Sequence, residues 1–267
     1  MFCRRHVIGG ILSTSAFGLL SLAGLSNGRA ASGSPLVAAA ASLRSALPEL
    51  ASAFAAEAGI RPRFSFGSSG NLARQIRQGA PFELFLSADE AFVLELARER
   101  LTRDEGVLYA LGRLALFVPQ GSPVSTDQSL AGVRSALARD EIRRFAIPNP
   151  EHAPYGRAAR ETLQHMRLWD AIHPRLVFGE NVSQAAQFAA SGSCEAALIS
   201  RSLAVAPEFI GRGTPESVPD TWHNPLRHRM ALLPAAGDQA KRFFSFLGSA
   251  DAREVFGRHG FSEPGEG

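Results

Sequence analysis

The sequence predicts an α/β fold of two units, each a largely parallel sheet flanked by helices. Short apolar runs alternate with amphipathic runs from Pro35 onward, which is typical of strands that alternate with helices. A polar stretch from Gln120 to about Leu130 interrupts this alternation, which then resumes, so we expect a second unit inserted into the first. With 45% apolar and 20% charged residues, the 267-residue chain can bury a sizeable core.

Four strands and three helices are expected between Pro35 and the polar stretch that begins at Gln120. The apolar runs that predict strands are LVAAA (36–40), RFSF (63–66), FELFLSA (82–88) and RLALFVP (113–119). The amphipathic runs that predict helices are 42–59, 70–79 and 89–100. Four apolar residues lie three or four apart on one face of the first helix: Leu43, Leu47, Leu50 and Phe54. Gly59 then stands where the C-terminus of a helix favours glycine.

The second unit is expected to repeat this alternation before the chain returns to the first. Its strands are predicted at RRFAIPNP (143–150), RLVFGEN (175–181) and EAALIS (195–200), and its helices at 154–166 and 182–190. A last strand, RHRMALLP (227–234), and helical segments at 238–248 and 249–260 complete the chain. The first lobe is therefore placed at residues 31–113 and 227–267, and the second lobe at 114–226 with the crossovers near its ends.

The first 30 residues have the pattern of a cleavable export signal. Arg4 and Arg5 precede an apolar run, and the small residues Gly28 and Ala30 occupy the positions that a signal peptidase recognises. An anchoring helix is the weaker interpretation, because the apolar part is short and broken by small polar residues. The arginine pair also matches the twin-arginine pattern, so either export route fits. We expect a periplasmic protein whose mature chain does not insert into the membrane.

Removal of this segment leaves a chain of balanced charge. Of the 28 Lys and Arg residues, the segment contains Arg4, Arg5 and Arg29, which leaves 25 against 25 Asp and Glu. No basic run with interleaved aromatic residues remains, so a nucleic-acid partner is not expected. Cys194 is the one cysteine of the mature chain, so no internal disulfide is expected.

Candidate binding residues follow the predicted strands. Ligands of open α/β sheets collect beyond the carboxyl ends of strands, where helices begin. Five such junctions have suitable residues: Ser42, Ser68 with Ser69, Ser87, Tyr155, and Asn181 with Val182. Each serine or asparagine could simply cap a helix, and Ser87 is assigned to capping alone because Asp89 and Glu90 follow it.

Several such junctions together indicate an anion site. Helix N-termini present free N–H groups and partial positive charge, and Gly67 and Gly70 allow the backbone to approach a ligand closely. A site built from hydroxyls and amides, without Lys or Arg, suits a small, fully ionised oxyanion. Arg44 and Arg74 lie nearby in sequence, but we expect both to face solvent.

Catalytic patterns are weak in this chain. Gly67 and Gly70 are three residues apart, so Ser69 is not in a Gly-x-Ser-x-Gly elbow. The seven histidines show no metal-ligand spacing, and His223 and His228 are predicted to lie at the solvated surface. We therefore expect no catalytic residue and no metal ion bound directly by side chains.

The chain resembles the periplasmic molybdate-binding proteins of ABC transporters from about Leu36 to Phe261. The segments that carry the resemblance are AAASL (39–43), FGSSGNLARQIRQGAP (66–81), LFLSADE (84–90), PEHAPYGRAARETL (150–163), LWD (168–170) and GENVSQA (179–185). It implies a two-lobed periplasmic binding fold with the oxyanion in the cleft between the lobes. It also implies a monomer without a cofactor, whose ligand is molybdate or tungstate and whose partner is a membrane permease.

The resemblance also implies which residues bind the oxyanion. Ser42 and Ser69 would donate from the first lobe, and the amides of Tyr155 and Val182 from the second. Ser68 and Ser200 are further candidates for the same site.

Two departures from the family bear on this site. Tyr155 stands where the family has a small residue, and Ser200 stands where it has a tyrosine. Either the phenol of Tyr155 replaces the missing hydroxyl, or Tyr155 only fills the space left by Ser200. These departures leave open a related scaffold that binds a different small oxyanion or solute. A third departure, Pro148-Asn149-Pro150, is expected to alter only a loop.

Two other classes of protein remain as alternatives. An exported serine hydrolase would need a histidine base near a cleft serine, and His152 is the histidine closest to such a junction in sequence. A periplasmic adaptor without a solute would show no stabilisation by any ligand.

Overall fold

The computed structural model describes residues 33–127 and 129–265. The predicted export signal, residues 1–30, lies outside the described residues. The strands are β1 (Leu36–Ala40), β2 (Arg63–Gly67), β3 (Leu84–Ser87), β4 (Val107–Gly112), β5 (Leu114–Pro119), β6 (Phe145–Pro148), β7 (Leu176–Gly179), β8 (Ala196–Ser200), β9 (Gly213–Ser217) and β10 (Leu226–Leu232). Apolar runs of β-branched, aromatic and aliphatic residues form most of them, and β3, β5, β6 and β8 are buried along their whole length.

Helices cover both sheets. They are α1 (Leu47–Ala58), α2 (Ser69–Arg77), α3 (Glu90–Arg98), α4 (Ala131–Ala138), α5 (Pro154–His165), α6 (Trp169–Ile172), α7 (Val182–Ala190), α8 (Arg201–Ala204), α9 (Asp238–Leu247) and α10 (Ala250–Arg258). Short 3-10 helices lie at Ala41–Leu43, His173–Arg175, Pro207–Phe209 and Asp220–Trp222. The predicted apolar face of α1 is confirmed, since Leu47, Leu50 and Phe54 are buried. Gly59 ends this helix in the left-handed conformation at a φ of 71°.

The strands form two mixed sheets of five strands each, which confirms the predicted α/β fold of two units. The first sheet has the order β2-β1-β3-β10-β4, and the second has the order β7-β6-β8-β5-β9. In the first sheet β1 is parallel to β2 and β3, and in the second β6 is parallel to β7 and β8. β1 therefore has parallel neighbours on both sides, β2 and β3, and so does β6, with β7 and β8. The connections of the chain run to opposite sides of each of these two strands. Such strands are topological switch points, where ligands of open α/β sheets bind.

The chain passes between the sheets twice. It leaves the first sheet at Gly112 and enters the second at Leu114, and it returns between Ser217 and Leu226. β5 and β10 each lie within a single sheet, so the chain crosses between the sheets at Arg113 and at residues 218–225.

Several parts of the fold were missed by the sequence patterns, among them β4 (Val107–Gly112), α4 (Ala131–Ala138) and β9. β9 consists of Gly213–Ser217, whose polar composition gives no strand signal; its backbone pairing with β5 holds it at the sheet edge. His223 and His228 were predicted at the solvated surface, and this is wrong. His228 is fully buried and His223 is 8% exposed. His228 occupies an inward position of β10, whose inward and outward residues alternate.

Among the described residues, no helix has both the length and the apolar character needed to cross a membrane.

Candidate functional site

The carboxyl ends of strands from both sheets meet around one small cavity. Eleven residues line it: Ala40, Ala41, Ser42, Gly67, Ser68, Ser69, Ala88, Ala153, Pro154, Tyr155 and Val182. The space open to the centre of a water-sized sphere is about 10 Å³, which is close to what one water molecule needs. Sites for larger organic molecules are usually cavities of about 300–1,000 Å³, so an organic ligand of that size does not fit this cavity in the form seen here.

Two of the helices that begin at the cavity have uncapped first turns. Ser68 precedes α2 but does not cap it, because its hydroxyl lies 2.9 Å from Nδ1 of His152. Ala153 precedes α5 and has no side-chain oxygen, and Pro154 has no N–H to donate. The first-turn amides of Ser69 and Tyr155 are therefore free to bind a ligand.

The third helix is capped in a way that spares one amide. Asn181 accepts hydrogen bonds from the amides of Ser183 at 3.0 Å and Gln184 at 3.2 Å. The amide of Val182, the first residue of α7, has no partner within the helix. Three helix N-termini, of α2, α5 and α7, thus direct free amides and partial positive charge at the cavity.

Two serine hydroxyls complete the donor set. Ser42 is fully buried in the 3-10 helix after β1, and its Oγ has no hydrogen-bond partner. Ser69 Oγ accepts a hydrogen bond from the amide of Ala88 at 2.9 Å, so its own hydrogen remains to be donated. A buried hydroxyl without a partner is unfavourable, which indicates that Ser42 awaits a ligand atom.

The cavity has no charged lining residue, and nearby cations point elsewhere. Arg44 is exposed, with its guanidinium 4.7 Å from the ring centre of Phe66. Arg74 is exposed and donates to the side chain of Asn71. The prediction that both arginines face solvent is confirmed. Within the described part of the chain, no group of three or more His, Cys, Asp or Glu side chains could hold a metal ion.

Hydrogen bonds and an ion pair join the two sides of the cleft. The amide of Gly70 donates to the carbonyl oxygen of His152 at 3.0 Å, beside the contact between Ser68 and the same histidine. Further out, Arg157 on α5 forms an ion pair of 2.6 Å with Asp89, which caps α3. The structure is therefore a closed form, in which contacts beside the cavity join the two sides of the cleft.

Ser87 and Ser200 lie outside this cavity. Ser87 was assigned to capping, but the cap of α3 is Asp89; Ser87 Oγ donates to the carbonyl oxygen of Asp89 at 2.7 Å and stabilises the turn. Ser200 caps α8 by accepting from the amide of Leu203 at 3.4 Å, and it also accepts from Ser202 Oγ at 3.1 Å. A role for Ser200 in ligand binding stays a prediction.

The side chain of Tyr155 extends from the cavity into the protein. Its hydroxyl lies beside Ser42, and 3.4 Å from Nε2 of His228 on β10. Burial raises the pKa of Tyr155, so the phenol keeps its proton. Burial lowers the pKa of His228 to about 3, so this imidazole is neutral at neutral pH. The sequence patterns did not indicate this contact, because a histidine and a tyrosine 73 residues apart leave no local signal.

The chain is similar to known proteins along most of its length. The family described as bacterial extracellular solute-binding protein matches residues 35–262. The molybdate-binding protein ModA of Rhodobacter capsulatus is 31% identical over 87% of this chain and 89% of its own length. ModA of Escherichia coli is 31% identical over 94% and 97%. The structure of the periplasmic molybdate-binding protein of Azotobacter vinelandii superposes with a TM-score of 0.78 at 27% identity, covering 86% of this chain and 99% of that one.

Proposed function

This chain belongs to the family of bacterial extracellular solute-binding proteins, with molybdate-binding relatives along most of its length, and we propose that it captures molybdate, and also tungstate, for a membrane permease of an ABC transporter. The observation that carries the proposal is the cavity closed by uncharged donors from both sheets. Hydroxyls of Ser42 and Ser69 face the amides of Tyr155 and Val182, at the switch points of the two sheets.

Uncharged donors of this kind select a fully ionised anion. A tetrahedral oxyanion without protons accepts a hydrogen bond at every oxygen, whereas a protonated one also needs an acceptor in the cavity. Sulfate is likewise fully ionised, so its exclusion would rest on size: an ion that is too small leaves buried donors unpaired, at about 1–3 kcal/mol each. We propose that this difference gives molybdate and tungstate their preference over sulfate.

Closure around the anion would use the two crossings between the sheets. We propose a first lobe of residues 31–113 and 227–267 and a second lobe of residues 114–226, which rotate about Arg113 and the segment 218–225. The anion would enter the open cleft and complete its hydrogen bonds as the cross-cleft contacts of Gly70 and Arg157 form. Residues 1–30 would direct export and be removed, and the mature protein would act as a monomer.

A hydrolase is the less favoured function for this site. Ser68 and His152 do lie at hydrogen-bond distance, as a nucleophile and base would. However, among residues 33–127 and 129–265 no carboxylate hydrogen bonds to the other ring nitrogen of His152 to orient it. We therefore propose that the chain binds its ligand without transforming it, and that it needs no cofactor.

Isothermal titration calorimetry on residues 31–267 tests the proposal. We expect one site per chain for molybdate and for tungstate, with sulfate and phosphate binding far more weakly. A preference for sulfate or phosphate would instead favour the same scaffold tuned to another oxyanion. Absence of heat, together with an unchanged melting temperature in all four anions, would contradict capture of any of them and favour an adaptor.

Gly70→Ala is expected to weaken binding by opposing closure. A Cβ at this position would lie 2.8 Å from the carbonyl oxygen of His152 and 3.1 Å from its Cα, across the cleft. Such crowding costs about 1–3 kcal/mol, which corresponds to about 5- to 150-fold in affinity. Calorimetry with molybdate measures the loss, and the melting temperature without anion should not fall, because the open form has no such contact.

Gly257→Ala is the matched control for this prediction. Gly257 also lies within a helix, α10, and a Cβ there meets no atom within 4 Å. This variant should gain about 0.5–1 kcal/mol of stability from the helix and keep wild-type affinity. Equal affinities of the Gly70→Ala and Gly257→Ala variants would show that the closed form seen here is not the ligand-binding form.

A further inference from the structure

A row of three buried side chains leads from the cavity to the far edge of the first sheet. Tyr155 on α5 is followed by His228 on β10, which is followed by Tyr109 on β4. The Tyr155 hydroxyl lies 3.4 Å from Nε2 of His228, and the Tyr109 hydroxyl lies 3.3 Å from Nδ1. The three residues are 2%, 0% and 5% exposed, so water does not compete for these contacts.

A glycine makes the contact between Tyr155 and His228 sterically possible. A Cβ at Gly112, the last residue of β4, would overlap the Tyr155 hydroxyl and lie 2.9 Å from Nε2 of His228. Gly112 is also where the chain leaves the first sheet for the second. Because Tyr155 belongs to a helix of the second sheet and His228 to a strand of the first, their contact joins the two halves beneath the cavity.

A neutral imidazole has one donor and one acceptor nitrogen, so its tautomer sets the direction of the whole row. The cavity end of the row is the Ser42 hydroxyl, which lies beside Tyr155 and has no other partner. If Nδ1 carries the hydrogen, His228 donates to Tyr109 and accepts from Tyr155. The Ser42 hydroxyl can then donate to the Tyr155 oxygen, in which case Ser42 no longer donates to the ligand. The lone pairs of the Tyr155 oxygen would face an incoming anion, which they repel.

The opposite tautomer gives a row of donors that all point toward the cavity. Tyr109 donates to Nδ1, Nε2–H donates to the Tyr155 oxygen, and the Tyr155 hydrogen is free for Ser42 or for the anion. If Ser42 accepts it, the Ser42 hydrogen points to the anion. This arrangement satisfies the buried Tyr109 hydroxyl as well, and aligned hydrogen bonds strengthen one another.

We propose that His228 is a positioning residue for oxyanion binding: its Nε2–H tautomer turns the hydroxyl hydrogens of Tyr155 and Ser42 toward the ligand. The proposal rests on the proposed function, since it assumes an oxyanion in this cavity. Under this proposal Tyr155 is a hydrogen-bond donor whose direction depends on His228, and it does not only fill the space left by Ser200.

Molybdate affinity in a set of variants tests the proposal. His228→Leu removes the row and should lower affinity about 2- to 13-fold, the effect of losing one net hydrogen bond. His228→Gln keeps an amide donor near the position of Nε2 and should restore most of that loss. Tyr155→Phe should lower affinity by a similar factor, and adding His228→Leu to it should lower affinity no further, because the two changes remove the same donor.

Nuclear magnetic resonance gives an independent readout of the tautomer. Long-range ¹H–¹⁵N spectra of the molybdate complex, with imidazole labelled, should show the hydrogen of His228 on Nε2. A hydrogen on Nδ1 in the complex, or additive losses in the double variant, would overturn the positioning role while leaving molybdate capture intact. If wild-type protein binds no oxyanion in the same titrations, both proposals fail together.

Discussion

Ser42→Ala is expected to weaken molybdate binding about 10- to 150-fold without destabilising the unliganded protein. Removal of a hydrogen bond to a charged group costs about 1.5–3 kcal/mol, which gives this range. The unliganded protein should lose little stability, because the contact of Ser42 Oγ with the Tyr155 hydroxyl does not have hydrogen-bond geometry and alanine removes a poorly satisfied buried group. Calorimetry with molybdate and urea unfolding without anion measure the two effects on the same sample.

Ser87→Ala is the control for this separation of binding from stability. Ser87 is equally buried and ends a strand of the first sheet, β3, but it hydrogen bonds to Asp89 and does not line the cavity. It should lose about 1 kcal/mol of stability and keep its affinity. If Ser42→Ala instead lowers stability and spares affinity, Ser42 is a structural residue and the assigned donor set is wrong.

Acid is expected to destabilise the protein through His228 alone by about 1.4 kcal/mol per pH unit below pH 6.5. The folded pKa of His228, about 3, lies below the ordinary value of 6.5, so the unfolded chain binds the proton first. The stabilising effect is therefore complete above pH 6.5 and is lost progressively as the pH falls toward 3. Burial without a carboxylate partner is the physical cause.

Urea unfolding at pH 7 and pH 4 measures this effect by comparison with His228→Gln, which does not titrate. Wild-type protein should lose about 3 kcal/mol more than the variant between these two pH values. His152 and His223 also have pKa values lowered by burial, but both are present in either protein, so their contributions cancel. Equal losses in the two proteins would contradict a buried, neutral His228.

The sequence predicted the fold because the signals for it are local. Apolar runs of four to seven residues marked most strands, and junctions such as Ser69 and Val182 marked the ends at which helices begin. β9 gave no such signal, because the polar segment Gly213–Ser217 becomes a strand through its backbone hydrogen bonds to β5.

The candidate site was predictable only in part, for a related reason. Ser42, Ser69, Tyr155 and Val182 are recognisable because each follows a strand, and the structure brings all four to one cavity. Ser68 contacts His152, which is far away in sequence, and the role of Ser87 depends on the exact geometry of the turn before α3. Sequence alone therefore could not separate a helix cap from a contact across the cleft. His228 was misplaced because it lies close to a turn that contains Pro225, and polar residues beside turns are ordinarily assigned to the solvated surface.

The position of bound tungstate in a crystal of residues 31–267 tests the central claim most directly, because tungsten is located by its own anomalous scattering. We expect a single strong peak in the cavity, with the oxygens of the ion bound by the hydroxyls of Ser42 and Ser69 and the amides of Tyr155 and Val182. No Lys or Arg nitrogen should contact the ion. A peak among arginines instead, such as those of the groove lined by Arg113, Arg201 and Arg258, would contradict capture by uncharged donors.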